Sequence, residues 1–160
     1  LTRQRVLSSG GTCPEIYGDP ALLVPLLRPA LTKTVDLGIV PHYVDYDHAV
    51  KNYPNYKVIN LLNSNPLAVA QEISQCKTIV SSSLHGIICA HAYGIPAAWI
   101  KFGNGIKGDN SKFYDHYAAM GEPCQLSTWD HLQFTSPAFD IDPIVNIFQT
   151  IASKQQLNEN

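Results

Sequence analysis

The residues best suited to chemistry sit in one short stretch, Ser81-Ser-Ser-Leu-His-Gly86. The β-branched residues Thr78 to Val80 precede it and predict a strand. A run of small and apolar residues, Leu84 to Tyr93, follows and predicts a buried helix that stops at Gly94 and Pro96. A strand that turns through hydroxyl residues into a helix leaves backbone N–H groups unpaired at the helix start. With the positive end of the helix dipole, those groups make an anion site. The stretch also reads as a serine N-cap followed by a half-buried histidine. His85 falls in the first turn. There the helix dipole disfavours an imidazolium, whereas a phosphate dianion favours one, so a histidine in that place becomes an acid when its anionic ligand arrives.

Other groups belong to the same inventory. Lys101 and Lys107 flank a glycine-rich loop, and lysine is a usual partner for phosphate. Asp109-Asn110-Ser111 either contributes to a site or caps the helix that follows. His42, Tyr43 and Asp45 either bind a sugar or phosphate or make a turn. Asp19, between Gly18 and Pro20, suits a turn or N-cap. His91 lies six residues beyond His85, roughly 240° round a helix. The two cannot share a metal, and His91 reads as a structural residue. No G-x-x-x-x-G-K-[ST] and no G-x-G-x-x-G is present, which removes the main support for P-loop and dinucleotide binding.

These groups need elements to position them. Strands are predicted over Val35–Pro41, Val58–Leu62, Thr78–Val80 and Ala97–Phe102, with a short fifth near Gln125. Helices are predicted over Val44–Lys51, from Asn65 to Cys76, over Leu84–Tyr93 and Lys112–Met120, and from Asp142 to about Lys154. Asn65-Pro66 supplies an N-cap and a proline at the first helical position. The opening residues read as irregular, and Gln155–Asn160 as a frayed tail. Alternation at this spacing predicts an α/β fold, a Rossmann-like parallel sheet of about five strands with helices on both faces. Val35, Ile59, Ile79 and Trp99 should lie in that sheet, with His85 at its carboxyl rim. Ligands bind beyond the carboxyl ends of such strands. Four polar segments converge there: 41–45, 62–65, 81–85 and 101–112.

Composition sets the outer limits. The 160 residues suffice for one domain with a core. The net charge is −2, and the three arginines, Arg3, Arg5 and Arg28, all lie near the N-terminus. A nucleic-acid partner is therefore not expected. The four cysteines form no C-x-x-C pair, so zinc and dithiol chemistry lack support and reduced thiols of a cytoplasmic protein are expected. No apolar run reaches the ~20 residues that span a bilayer. A chain opening on Leu1 reads as a piece of something longer.

Five segments together resemble the polysaccharide pyruvyl transferase family: Tyr17-Gly-Asp-Pro-Ala-Leu-Leu23, Gly38-Ile-Val-Pro-His-Tyr-Val-Asp45, Ser81-Ser-Ser-Leu-His-Gly86, Ala90-His-Ala-Tyr-Gly-Ile-Pro96 and Gly108-Asp-Asn-Ser-Lys-Phe-Tyr-Asp115. The resemblance covers roughly residues 1–120. It implies a fold like that of GT-B glycosyltransferases, two Rossmann-like halves around a cleft. This chain, as one Rossmann-like domain over 1–160, resembles the C-terminal half. The first half, expected to help hold the acceptor sugar, lies outside it. The chemistry implied is transfer from phosphoenolpyruvate to two hydroxyls of a sugar in a cell-surface or exopolysaccharide precursor, giving a pyruvate ketal and phosphate. The implied partners are phosphoenolpyruvate as co-substrate, with no cofactor and no metal, and a sugar or lipid-linked oligosaccharide acceptor. The full-length enzyme is allowed a peripheral contact with a membrane.

On this resemblance His85 matches the family histidine and fits the acid. Ser82, Ser83 and the Leu84 to Gly86 amides fit the donor anion. Lys101 is the first choice of cation, with Lys107 behind it and Asn110 nearby, and the base comes from Asp45, His42 or the other half. A nucleotide-sugar glycosyltransferase of the same architecture is the competing reading. It would set a carboxylate against the donor ribose, and Glu122 is the one near such a place.

Overall fold

A computed structural model describes residues 2–103 and 108–158, with side chains to Ser153. Five strands form one all-parallel sheet in the order β2-β1-β3-β4-β5. They are β1 (Val35–Val40), β2 (Lys57–Val58), β3 (Cys76–Ser81), β4 (Ala97–Ile100) and β5 (Leu126–Ser127). Helices α3 (Tyr46–Asn52), α4 (Pro66–Ser74), α5 (Leu84–Ala92) and α6 (Ser111–Ala119) connect them, and α7 (Asp142–Asn158) follows. The α/β, Rossmann-like architecture expected from the alternation is the one observed.

Successive side chains on a strand point to opposite faces, and here both faces are covered. Val40, Ile79, Ala97 and Trp99 pack on one side with Val69, Ile73, Ile87 and Phe113 from α4, α5 and α6. Trp99 stacks on Phe113 with ring centroids 4.3 Å apart. Ile39, Val80, Ala98 and Ile100 face the other side, against Ala49, Tyr53 and Trp129. α5 is covered a second time on its outer side, where Ile88 meets Leu22 and Ile144. A helix enclosed in this way is apolar all round, and Gly86 through His91 are all buried.

Three local readings need correction. The opening is helical: α1 (Thr2–Ser8), a 3₁₀ turn over Pro20–Leu23 and α2 (Val24–Leu27). The second strand is shorter than expected. Ile59 lies just beyond β2, buried and donating to Ile39 O at 2.8 Å, and the chain then turns where Leu62 N donates to Asn60 Oδ1. The cap of α6, Ser111 or Asp109 on the sequence pattern, is Asn110, in the left-handed region at φ +61°, with Asp109 Oδ1 accepting from Ser111 N just before the helix body. The cap of α4 is as expected: Asn65 accepts from Ala68 N, with Pro66 opening the helix.

Candidate active site

The strand order 2-1-3-4-5 reverses direction between β1 and β3. In open parallel sheets the crevice beyond the strand ends at such a switch point is where ligands bind. The two loops that leave β1 and β3 there are 41–45 and 82–85, two of the four polar segments identified from sequence.

A buried hydrogen-bond knot fixes these loops to each other. Ser81 Oγ donates to Val40 O at 2.6 Å and accepts from Ser83 N at 3.0 Å. Ser82 Oγ accepts from His42 N at 2.8 Å and donates to Asp45 Oδ2 at 3.0 Å. Asp45 is only 3% exposed. Asp45 and Ser82, expected among the ligand-facing groups, are thus enclosed, and their polar atoms are used in holding the rim. Gly86 has a comparable packing duty. A Cβ at this position would lie 2.7 Å from Val40 Cγ1 and would also strike Ser81 Oγ. Only glycine lets the first turn of α5 settle this close to β1 and β3.

What this knot leaves outward is a cleft of about 440 Å³. His42, Tyr43, Ser83, His85 and Lys112 form its polar mouth, and Leu61, Val69, Ile73 and Leu84 its apolar wall. Ser83 stands at the N-cap of α5 but makes no side-chain capping bond there. By helix geometry the Leu84, His85 and Gly86 amides point out of the helix start. The His85 side chain is 70% exposed, with Nε2 3.9 Å from Asp19 Oδ2. His42 Nδ1 accepts from Val44 N at 3.4 Å, and its ring lies 4.4 Å from that of Tyr43. None of the described residues lining this cleft is a carboxylate. The arrangement suits a small anion with a titratable ring beside it.

The structure therefore brings together His42, Tyr43, Ser83, Leu84 and His85 of the expected residues. Lys101 follows β4 as an exposed side chain and is not among the lining residues of the cleft. Asn110 serves as the left-handed cap of α6, and Lys107 lies outside the described residues. Sequence reasoning missed Lys112, whose position in the first turn of α6 brings it to the cleft. It also stopped short at Asp19. This residue does cap the 3₁₀ turn, through Oδ1 and Ala21 N at 2.8 Å, while its second oxygen faces His85.

His91 lies at the other end of α5, 1% exposed, with Nδ1 3.0 Å from His116 Nε2 and Nε2 3.3 Å from Thr135 Oγ1. Burial pushes both imidazoles down to about 4. At neutral pH both rings are uncharged and share one N–H between them. Among the described residues, no group of three His, Cys, Asp or Glu side chains is placed to hold a metal ion. No helix among them is long and apolar enough to cross a membrane.

Fold and crevice together define a parallel α/β domain with a cleft at its switch point. The sequence profile of the polysaccharide pyruvyl transferase family matches residues 1–104, and the chain belongs to that family. It is also 36% identical over 162 residues to an uncharacterized protein of Acanthamoeba polyphaga mimivirus, a match covering 86% of this chain and 55% of the relative. The chain thus spans about half the length of the curated relative it matches. No solved structure matches it.

Proposed function

We propose that this domain carries the donor site of an enzyme that transfers pyruvate from phosphoenolpyruvate to a sugar of a polysaccharide precursor, forming a ketal. The observation that carries the reading is the cleft at the start of α5 whose described lining holds His42, His85 and Lys112 but no carboxylate, within a chain of the pyruvyl transferase family. The donor's phosphate sits against the Leu84 to Gly86 amides with Lys112 as its counter-charge. His85 delivers a proton to the terminal enol carbon, which becomes the methyl group. Two sugar oxygens add to the central carbon in turn, and the carbon–oxygen bond to phosphate breaks. Of the two hydroxyl protons released, one balances that given to the methyl group and the other leaves on phosphate. Lysine and the helix start stabilise charge that moves onto phosphate in the transition state.

The test is pyruvate transfer by the intact gene product carrying His85→Ala. The expected result is a fall of ~10²–10⁴-fold in rate, the typical loss with an acid catalyst, and an unchanged unfolding temperature. Near-normal turnover would contradict the assignment. Activity with a nucleotide sugar in place of phosphoenolpyruvate would replace the reading with the glycosyltransferase one.

A further inference from the structure

A second cavity, about 690 Å³, opens on the other side of the α5 start. It lies between the N-terminal segment and α6, and it shares Leu84 and Lys112 with the cleft described above. Molecules seated in the two cavities would meet at the His85 turn. We infer that this second cavity receives the acceptor, as a neutral hexopyranoside. The inference rests on the pyruvyl transfer reading, which requires a sugar beside the anionic donor.

Three observations carry it. The first is charge. Asp19 and Asp115 stand in the wall of the larger cavity together with Arg3 and Lys112, so its described charged groups balance, whereas the described lining of the donor cleft holds Lys112 and no carboxylate. Carboxylates accept hydrogen bonds from sugar hydroxyls, so a wall of balanced charge suits a neutral polyol, and the cleft with an unopposed lysine suits the anion. Asp115 already accepts from Thr2, which fixes its carboxylate at the wall. The second is shape and surface. The cavity is large for a three-carbon anion and falls within the usual size of small-molecule sites, ~300–1,000 Å³. Tyr17, 52% exposed, offers a ring, and Ile16 and Ala118 offer apolar surface for the C–H face of a pyranose. The third is the junction. Asp19 Oδ1 is held by Ala21 N, which aims Oδ2 at His85 Nε2, 3.9 Å away. A hydroxyl bonded to Asp19 is thereby delivered next to the residue assigned to protonate the donor.

The test is a titration of this chain with methyl glycosides of the common neutral hexoses, followed by methyl-group chemical shifts, with inorganic phosphate absent or present. The expected shifts fall on Ile16, Ile88, Ala118 and Ala119, and phosphate does not displace the glycoside. Tyr17→Ala should weaken glycoside binding about fivefold to tenfold, in line with the usual worth of an aromatic contact. Asp19→Asn should weaken it too. The asparagine oxygen still caps the 3₁₀ turn, so the fold survives the change. Shifts confined to Leu61, Leu62 and Val69, displacement by phosphate, or no response to any glycoside at tens of millimolar would overturn the inference. So would Tyr17→Ala and Asp19→Asn both binding like the parent. Failure of phosphate to move the Ser83 to His85 amides, with the glycoside still bound, would count against the donor site alone.

Discussion

One helix carries two histidines with opposite fates. His85 begins α5 as an exposed ring at the lip of a cleft, and His91 ends the same helix as a buried ring hydrogen-bonded to His116. Residue type and helix are shared, and only burial and partners differ. Where the ring stands exposed at the cleft, it is open to a ligand. Where the core encloses it, burial holds it neutral and its nitrogens become fixed hydrogen-bonding groups. The comparison shows why a count of histidines says nothing about catalysis until the helix face is known.

The comparison breaks first if the two positions do not separate activity from stability. After the loss of transfer expected for His85→Ala, the next largest effect belongs to His91→Ala. That change opens a cavity and leaves His116 Nε2 without its partner. We expect a loss of ~2–4 kcal/mol in denaturant unfolding, with transfer retained by whatever fraction stays folded. A variant that is fully stable but inactive would reverse the two roles.

The buried pair also sets a pH dependence. Both rings titrate at about 4 in the folded protein, below the ordinary 6.5. As pH falls below 6.5 the unfolded chain binds protons first, so stability is fully present above about that pH and is lost progressively towards 4. Urea midpoints measured across this range should fall, and the slope should flatten in His91→Ala. A midpoint that stays level from neutrality to pH 4 would mean that the rings are not held neutral.

Two smaller effects sharpen the picture of the exposed end. Gly86→Ala drives a methyl group into Val40 and Ser81, and should cost ~1–3 kcal/mol of stability by overpacking. Ser82→Ala leaves the Asp45 carboxylate and the His42 amide without a shared partner, and should cost ~1–2 kcal/mol. Thermal unfolding of each checks the figure. If Ser82→Ala instead leaves stability unchanged and weakens anion binding, Ser82 faces the ligand as first expected.

Much of this was legible from local pattern. Short apolar runs of the kind buried on both faces marked β1, β3 and β4, and the Asn65-Pro66 pair marked the start of α4. Strand, hydroxyl turn and helix marked the site, because that signal is contained within ten residues. What local pattern could not reveal is contact across the chain. Ser82 reaches Asp45 over 37 positions, and Lys112 comes to the cleft only because α6 packs beside α5. The early helices were hidden for another reason. Pro20 and Pro25 fall in the opening that reads as irregular, yet each occupies one of the first two helical positions, where the missing N–H is no loss. The second strand was overextended because an apolar run looks the same whether it is paired along its length or only over two residues at the sheet edge.

The most direct test of the central claim is a titration of this chain with phosphoenolpyruvate, followed by backbone amide shifts. The account predicts saturable shifts centred on Ser83 to Ile87, extending to His42 and Lys112, with the amides beside His91 and His116 unmoved. Shifts centred on the buried pair, or no saturable response at millimolar concentration, would contradict it.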